Sequence, residues 1–409
     1  MRRSLLPFAC GLVCGLALAA GAGTAAAAAG DIDGTYKKLR VFSQVLTYVQ
    51  QNYVDELDGD ELVYDAITGM LSGLDPHSTF MRPAEYEKLR EDTAGEFGGL
   101  GIEVGASGDV IQVEVVHADS PGAHAGLKPG DKVLAVDGES MRGQPLEASV
   151  KLMRGVPGTR VVLTVERKGW EKPRDIPLVR RQVRVPSVDG DDLGGGVAYV
   201  RIRAFQERTD QELARALTDA RKRARDQGRD KPAGLVLDLR DNPGGLLDEG
   251  VRVADRFLDD GLIVTTQGRN PRNTEREVAH PEGTEPGYPV VLLVNDGTAS
   301  ASEIVAGALQ DHKRALVVGT RTFGKGSVQT LFGLDDGAGL KLTIARYFTP
   351  SGRSIQDVGI EPDVPVRPAE DVPAGIHGAE RVKLDPQVAA AVDAIARWPL
   401  GKNLARGVR

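Results

Sequence analysis

The amino-acid sequence predicts a multidomain α/β protein, in which an α/β core carries an inserted β-rich domain and helical elements flank both ends. The chain has 409 residues, which is more than the ~150 residues of one typical domain. Over residues 169–367, continuous apolar runs alternate with helical stretches, a pattern typical of buried parallel strands. Residues 94–168 instead have short alternating segments and many glycines, which indicate small strands and turns.

The composition excludes several classes of protein. Charged residues make up 27% of the chain and aromatic residues 5%, so the chain is neither a disordered polyelectrolyte nor an aromatic-rich binding protein. The net charge of -7 argues against a basic surface for nucleic acid, and no nucleic-acid partner is expected. The two cysteines, Cys10 and Cys14, both lie near the start. That placement excludes a disulfide framework or a cysteine-based zinc site in the body of the protein, and no metal or cofactor is expected.

Residues 1–30 have the pattern of a secretory signal peptide. Arg2 and Arg3 precede an apolar run over residues 5–20, and small residues follow it. Cleavage is expected within residues 25–29. A retained anchor is the alternative, although the run is shorter than the ~20 apolar residues of a membrane span. We therefore expect an exported protein, periplasmic or, if the segment is retained, associated with the membrane on its periplasmic side.

Helical elements are predicted on both sides of the β-rich domain and the core. Residues 31–93 are predicted to be helical because apolar side chains recur along one face. These side chains are Tyr36, Leu39, Val41, Val45 and Val49, followed by Leu62, Ala66, Met70 and Leu71. Residues 368–409 are predicted to hold a proline-rich segment and a short helix, since Asp385 suits a helix cap and Pro386 the first helical position.

The strands of the core are predicted from continuous apolar runs. Such runs are Leu235–Leu239, Val290–Val294 and Ala315–Val318. Runs of this length without alternation indicate strands that are covered on both faces, as in a parallel sheet.

Three separated features mark the β-rich domain at 94–168. They are Gly99-Leu100-Gly101-Ile102, the turn Ala125-Gly126-Leu127-Lys128-Pro129-Gly130-Asp131, and the hairpin Val136-Asp137-Gly138. In this order they resemble a PDZ domain, whereas a generic glycine turn would explain only one of them. The resemblance implies that a C-terminal peptide pairs with the strand after Ile102, opposite a helix near 145–154. The amides of Gly99, Leu100 and Gly101 would receive the peptide carboxylate.

Residues 290–304 and 315–329 contain the motifs that could indicate a catalytic or ligand-binding site. Three interpretations of these two segments are possible. Gly319 to Lys325 nearly completes a phosphate-binding loop. However, Gly326 stands where that loop needs Ser or Thr, and an exported protein has no ordinary nucleotide supply. A purely structural interpretation makes Ser300 and Glu303 a helix capping box and Lys325 a solvated lysine.

The third interpretation is nucleophilic catalysis. A serine at a strand-to-helix turn is well placed to attack a carbonyl group, because helix-terminal amides surround it. Six histidines are present, but no Gly-x-Ser-x-Gly motif accompanies them. Lys325 is the stronger candidate base, since a desolvated ammonium group loses its proton more readily. Local reasoning does not separate Ser300 from Ser302 as the nucleophile.

The same residues resemble the C-terminal processing peptidases, a family of tail-specific serine proteases. The motifs that carry the resemblance are Leu74–Ser78, Leu237–Gly245, Ala299–Ile304, Phe323–Gly326 with Gln329, and Tyr347–Gly352. They cover nearly the whole chain after the signal segment. The resemblance implies an α/β Ser-Lys protease core at 169–367, with the PDZ domain inserted before it.

The resemblance also implies roles for individual residues. Ser300 rather than Ser302 would be the nucleophile and Lys325 the general base. Gln329 would orient the lysine, and its spacing of four residues suits a helical turn. The last of these roles concerns the oxyanion, which would be held by two backbone amides. One is that of Gly244 or Gly245, and the other is that of Ala301.

Substrates, regulation and partners follow from the same resemblance. The substrates would be proteins with unstructured, apolar C-terminal tails. Arg154 matches a position that couples tail binding to activity, although an ordinary arginine at a helix end is an equal alternative. The helices at 31–93 and 385–397 resemble dimerisation elements, so a homo-oligomer is expected, and some relatives use a helical-repeat lipoprotein adaptor. A catalytically silent PDZ scaffold is the alternative function, and the intact catalytic set argues against it.

Overall fold

The structure is a computed structural model that describes residues 21–270, 272–369, 372–373 and 375–398. Residues 1–20 of the predicted signal segment therefore lie outside the described residues. Within the described ranges, no helix has both the length and the apolar character needed to cross a membrane. The chain divides into two units, Met1–Phe80 and Met81–Arg409.

The first unit is helical. It contains α1 (Gly21–Asn52) and α2 (Gly59–Ser72), and the short strand β1 (Thr79–Met81) stands at its end. The Asp58 carboxylate caps α2 by accepting a hydrogen bond from the Asp60 amide (2.9 Å). Helices α1 and α2 lie where the sequence predicts helix, whereas residues 79–81, also predicted as helical, form a strand. The apolar side chains of α1 remain largely exposed.

The second unit begins with a helix and a β-rich domain. Its elements are α3 (Pro83–Ala94), β2 (Glu96–Gly99), β3 (Ile102–Ser107), β4 (Val110–Val116), α4 (Pro121–His124), β5 (Lys132–Val136), β6 (Glu139–Ser140), α5 (Leu146–Met153), β7 (Arg160–Glu166), β8 (Arg174–Val179) and β9 (Arg181–Arg184). Six strands form one sheet in the order β3-β4-β5-β7-β8 with β6 on β5, and β2 pairs with β9. The sheet thus extends to Val179, beyond the limit of 168 expected from the sequence.

Alternation along the strands explains this small domain. In β7, Val161, Leu163 and Val165 are fully buried, whereas Arg160 and Glu166 at its ends are exposed. A period of two places every second side chain on one face, so the apolar set covers a core and the polar set faces solvent. The helix predicted near 145–154 is present as α5 and packs against β3 and β5.

A parallel sheet forms the centre of the core. Its strands are β10 (Val188–Asp192), β11 (Val197–Ile202), β12 (Gly234–Asp238), β15 (Val290–Val294), β16 (Leu316–Gly319) and β19 (Val364–Pro365), in the order β10-β11-β12-β15-β16-β19. β10 is antiparallel to β11, and the other four pairings are parallel. The three apolar runs predicted as buried parallel strands are therefore confirmed.

Helices cover both faces of this sheet. They are α6 (Thr209–Asp226), α7 (Leu247–Asp255), α8 (Ala301–Asp311), α9 (Gly378–Leu384) and α10 (Pro386–Ala396). The two sides of β15 show the arrangement, since Leu292 packs in one cluster with residues of α6, α7 and α8. Leu293 packs on the opposite face with residues of α10. Asp385 caps α10 and Pro386 is its first residue, as predicted.

A second, antiparallel sheet lies beside the core. Its strands include β13 (Leu262–Gly268), β14 (Thr274–Val278), β17 (Ser327–Gly333) and β18 (Gly339–Phe348). β18 pairs with both β17 and β13. This sheet is relevant to the site because its strand β17 begins two residues after Lys325.

Candidate active site

Ser300 stands at a sharp turn between a strand and a helix. It follows β15 and immediately precedes the first residue of α8, with φ +56° and ψ −118°. Such a backbone conformation in a residue other than glycine costs on the order of 1–3 kcal/mol and persists only where neighbours hold it. Here the Ser300 amide donates to Glu303 Oε2 (2.9 Å) and its carbonyl accepts from Tyr347 Oη (3.0 Å). The turn is therefore held at both of its peptide groups.

The structure distinguishes the environments of the two candidate serines. Ser302 is fully buried, and its hydroxyl donates to the carbonyl oxygen of Asn242 (3.0 Å). Ser300 is only half-buried. The hydroxyl of Ser302 thus has a structural partner, whereas Ser300 presents the more accessible side chain at the start of α8.

Glu303 joins the turn at Ser300 to the loop that carries Lys325. This fully buried carboxylate also accepts hydrogen bonds from Thr322 Oγ1 (2.6 Å), the Gly324 amide (2.8 Å) and the Lys325 amide (2.9 Å). Burial raises the pKa of Glu303, and these hydrogen bonds oppose the rise. The sequence identified Glu303 only as a helix cap, and its second set of partners arises from tertiary structure.

Lys325 is half-buried in the loop before β17. Burial is the main cause that lowers the pKa of Lys325, and the nearby charge of Lys341 lowers it further, while Glu303 opposes both. The hydroxyl of buried Tyr347 also lies within hydrogen-bond distance of the carbonyl oxygens of Ser300 and Lys325, and its single proton can be donated to either of them. Glu303 and Tyr347 therefore bring the two segments together.

Gln329 does not follow Lys325 on a helical turn, so that prediction was wrong. It lies in β17, where pairing with β18 sets an extended backbone. Its side-chain amide donates to Ser327 Oγ (2.9 Å) and to Thr343 Oγ1 (3.3 Å). The described hydrogen bonds of Gln329 thus reach the start of β17 and β18 rather than Lys325.

The glycine loop after β12 lies against Ser300, because β12 and β15 are parallel neighbours whose carboxyl ends meet at one edge. A Cβ at Gly244, which has φ +98°, would lie 2.7 Å from the Ser300 Cβ. The Gly244 amide donates to Asn242 Oδ1 (2.9 Å), so this donor is already occupied. Among the described residues, no acceptor pairs with the amides of Gly245 or Ala301. Of the two glycines predicted, Gly245 is therefore the one whose amide has no acceptor among the described residues.

The β-rich domain presents an open strand edge. β3 is the terminal strand of its sheet, and α5 packs against it. The loop before β3 needs glycine, because Gly101 has φ +66° and a Cβ there would lie 2.2 Å from the Ser120 Cβ. Ile102 begins β3 and is half-buried. Residues 99–102 thus lead directly into an edge that an extended peptide can join.

Arg154 follows the last residue of α5 and contacts the base of this loop. Its guanidinium lies 4.0 Å from the centre of the Phe97 ring, within the range of a cation–π interaction. A Cβ at Gly99 would lie 2.9 Å from the same ring. Arg154 is therefore linked to residues 99–101 through Phe97, which the sequence did not indicate.

Comparison with known proteins decides the family. Models of three families match: Peptidase family S41 over residues 196–366, PDZ domain over 112–167, and Activating protease CtpB N-terminal domain over 20–84. A carboxy-terminal-processing protease of Bartonella bacilliformis is 45% identical over 332 residues, 81% of this chain and 76% of the relative. The chain belongs to peptidase family S41.

Two further processing proteases are similar to this chain. A carboxyl-terminal-processing protease of Synechocystis is 39% identical over 323 residues, which are 77% of this chain and 74% of the relative. Among solved structures, a photosystem II D1 C-terminal processing protease is 33% identical, covers 83% of this chain and 96% of its own, and has a TM-score of 0.48.

Membership of family S41 confirms the predicted family and class of enzyme. The chain is a serine-type endopeptidase of the carboxyl-terminal-processing kind, and it contains a PDZ domain that binds peptide segments of proteins. The predicted fold class, a multidomain α/β protein with a PDZ domain, is also confirmed. The scaffold alternative is therefore not needed to explain the chain.

Proposed function

We propose that this S41 protease is exported, captures unstructured apolar C-terminal tails with its PDZ domain, and cleaves peptide bonds by a Ser-Lys mechanism. One observation carries the proposal. Glu303 accepts the amides of both Ser300 and Lys325, which holds a strained serine turn and a lysine of lowered pKa in one site. Nucleophile and base in such an arrangement are the components of covalent peptide hydrolysis.

Lys325 acts first as the base. In its neutral form it takes the proton of Ser300 Oγ while that oxygen forms a bond to the carbonyl carbon of the substrate. The resulting ammonium group then gives the proton to the leaving amine as the peptide bond breaks. Water hydrolyses the acyl-enzyme in the same way, with Lys325 again accepting the proton and returning it to Ser300 Oγ.

The developing oxyanion needs donors that are fixed before the reaction begins. The amides of Gly245 and Ala301 fill this role, since the Gly244 amide is used by Asn242. Gly244 still matters, because its missing Cβ lets the loop lie against Ser300. Gln329 supports Lys325 indirectly, through its bond to Ser327 at the start of β17.

The PDZ domain selects the substrate tail. The tail adds a strand to the edge of β3, and the amides at Gly99, Leu100 and Gly101 receive its carboxylate. Apolar tails fit because Ile102 and Val104 of β3 and Leu146 of α5 pack at the edge of the domain core. Arg154 then senses the occupied loop through Phe97.

Assembly and location complete the proposal. Apolar side chains on α1 stay exposed, among them Tyr36, Leu39 and Val45, and a second copy of the chain would cover them in a homo-oligomer. The helix at 385–397 packs on the core sheet in this structure. Export rests on the signal pattern of residues 1–30. A helical-repeat lipoprotein adaptor stays a prediction from the family resemblance.

A cleavage assay tests the mechanism. An unfolded protein with an apolar C-terminal tail is incubated with the wild type and with Ser300→Ala, Lys325→Ala and Ser302→Ala. We expect cleavage to be lost in the first two variants and retained in Ser302→Ala. Equal cleavage by all four proteins would refute the Ser-Lys mechanism. Activity that survives Ser300→Ala but disappears in Ser302→Ala would move the nucleophile to Ser302.

A further inference from the structure

The start of α10 makes buried contacts with Arg240, which lies between β12 and the glycine loop. Asp385 is 3% exposed, and its Oδ2 pairs with Arg240 Nη1 at 2.8 Å. Gln387 is also buried, and its Oε1 accepts from the same Arg240 nitrogen at 2.8 Å. Two side chains of α10 thus converge on one guanidinium nitrogen of a residue far away in the chain.

Arg240 is held from its other side by Asp238. The guanidinium donates through Nη2 to Asp238 Oδ2 (2.6 Å) and through Nε to Asp238 Oδ1 (2.9 Å). Tyr199 Oη also donates to Asp238 (2.6 Å). Because Asp238 is fully buried, its charge depends on Arg240, and the charge of Arg240 is in turn shared with Asp385.

A short run of backbone connects Arg240 to the oxyanion loop. Asn242 stands two residues later, and its Oδ1 accepts the amide of Gly244 (2.9 Å). The carbonyl oxygen of Asn242 accepts from the Ala299 amide (3.0 Å) and from Ser302 Oγ (3.0 Å). A displacement of Arg240 would therefore reach both the glycine loop and the turn that carries Ser300.

We propose that Asp385 and Gln387 are positioning residues, through which α10 holds Arg240 and thereby places the oxyanion loop against Ser300. The inference deepens the proposed function and rests on it, because it presumes that residues 244–245 serve the reaction at Ser300. Neither residue touches the substrate. Their loss changes the rate of the chemical step and leaves the binding of the tail at the PDZ domain unaltered.

The decisive variant is Asp385→Asn, because it separates two roles of this carboxylate. Asp385 Oδ1 accepts the amides of Gln387 (3.0 Å) and Val388 (3.2 Å) as the cap of α10, and asparagine caps helices equally well. In the variant, an NH2 group replaces Oδ2 and faces Arg240 Nη1. Two hydrogen-bond donors then lie opposite each other. We expect kcat to fall about 10- to 100-fold, as for small displacements of reacting groups, with KM within about twofold of the wild type.

Asp311→Asn is the matched control. Asp311 also pairs with an arginine, Arg353 (2.6 Å), and accepts a backbone amide, that of Ser351 (2.9 Å), but these partners lie at the opposite end of α8 from Ser300. Its kcat is expected to stay within about twofold of the wild type. An equal fall of kcat in the control and in Asp385→Asn would overturn the inference, as would an unchanged kcat in Asp385→Asn.

A second-site change provides a readout that a purely structural role would not give. Gln387→Glu in the Asp385→Asn background returns a carboxylate to the same Arg240 nitrogen, without altering the cap of α10. We expect it to recover at least about fivefold of the lost kcat. Gln387→Glu alone is the control, because it also removes the amide that donates to the carbonyl oxygen of Val366 (2.8 Å). Failure of the rescue, when Gln387→Glu alone keeps kcat within about twofold of the wild type, contradicts the proposal.

Two further measurements keep the test decisive. If Asp385→Asn is unfolded at the assay temperature, Gln387→Met is measured instead. It should lower kcat about 3- to 10-fold, and a kcat within about twofold of the wild type overturns the inference. Ser300→Ala is assayed in parallel. Wild-type cleavage by Ser300→Ala refutes the proposed function itself, whereas an inactive Ser300→Ala beside a normal Asp385→Asn refutes the inference alone.

Discussion

Burial shifts the pKa values of Glu303 and Lys325 in opposite directions. The pKa of Glu303 is raised and that of Lys325 is lowered, with burial as the first cause in each case. Desolvation disfavours the charged form of any group, so both shifts favour the neutral species. The amides of Ser300, Gly324 and Lys325 donate hydrogen bonds to the Glu303 carboxylate, and these bonds oppose the rise of its pKa. The site therefore favours the neutral form of Lys325 more than water does, next to an acid that its hydrogen bonds hold in place.

The charge of Lys341 should set the pH dependence of activity. Lys341 lowers the pKa of Lys325 by repulsion, so the Lys341→Gln variant should have a Lys325 of higher pKa. Since the proposed mechanism uses the neutral lysine as the base, the rise of kcat with pH is expected to move to higher pH, toward the ~10.4 of free lysine. Profiles of kcat between pH 6 and 10 measure this, with Lys383→Gln, an exposed lysine on α9, as the control. A profile that moves to lower pH or not at all contradicts the prediction.

Glu303→Gln should weaken both the fold and the site. An amide nitrogen would replace one of the oxygens that together accept four hydrogen bonds, leaving a buried donor facing a donor. The free energy of unfolding should fall by about 1–3 kcal/mol. The lost negative charge also lowers the pKa of Lys325 further, so residual activity should appear at lower pH, opposite to Lys341→Gln. Urea titrations and pH profiles, with exposed Glu282→Gln as control, test both parts.

At the scale of elements, two glycine loops lie in close contact with neighbouring segments. One precedes β3 in the PDZ domain, and the other follows β12 beside Ser300. In both, a glycine has positive φ and lies so close to a neighbour that a Cβ would collide, at Gly101 with Ser120 and at Gly244 with Ser300. Each loop therefore depends on a missing side chain as well as on backbone freedom.

Gly101→Ala should impair recognition of tails without affecting the chemical step. The new Cβ would lie 2.2 Å from the Ser120 Cβ, so the loop must shift away from β3. Gly108→Ala is a close control, because Gly108 has nearly the same φ, +68°, and nothing within 4 Å of its Cβ position. We expect KM for a tailed substrate to rise at least about tenfold in Gly101→Ala only, with kcat little changed. Equal KM values in the two variants would contradict the role of this loop.

Gly244→Ala should instead lower kcat. Its Cβ would meet Ser300 at 2.7 Å, which displaces the oxyanion loop from the nucleophile, and loss of one oxyanion donor typically costs about 10²–10³ in kcat. Gly283→Ala shares the positive φ, +83°, but meets nothing within 4 Å. The Gly283→Ala variant should therefore show only the effect of an alanine at positive φ, without a steric collision. Steady-state kinetics of both variants on a short peptide substrate separate the collision from the strain.

At the scale of the whole molecule, the first unit leaves an apolar helix surface in solvent. Tyr36 is 66% exposed and Leu39 54% exposed on α1. Apolar patches of this kind are typical of surfaces that bind another protein. Within the second unit the pattern differs, because helices cover both faces of the parallel sheet.

Charged substitutions on the exposed apolar surface of α1 should therefore dissociate the proposed homo-oligomer. Light scattering of the wild type should give at least twice the mass of one chain, and the double variant Leu39→Lys/Val45→Lys the mass of a single chain. Gln51→Lys adds a charge elsewhere on α1 and should keep the wild-type mass. A wild type with the mass of a single chain, or a double variant with an unchanged mass, would count against assembly through α1.

Much of the candidate site was predictable because its residues carry their chemistry in local patterns. Ser300 follows an apolar strand and opens a helix, and Lys325 lies in a glycine-rich turn, so residue type and order were sufficient to select them. The β-rich domain was likewise marked by short motifs. The helical turn expected for Gln329 was wrong because pairing with β18, a long-range interaction, decides the backbone of β17.

The sequence by itself determined the family, through its motifs, and the fold class, through periodicity and turn residues, and it proposed the candidate catalytic residues from side-chain type and order. Only the tertiary structure decided which donor meets which acceptor. Glu303 reaches an amide 22 residues away, and Arg240 reaches Gln387 across 147 residues. Hydrogen bonds act over about 3 Å, and such distances are set by the register and packing of the sheets, which no local pattern encodes.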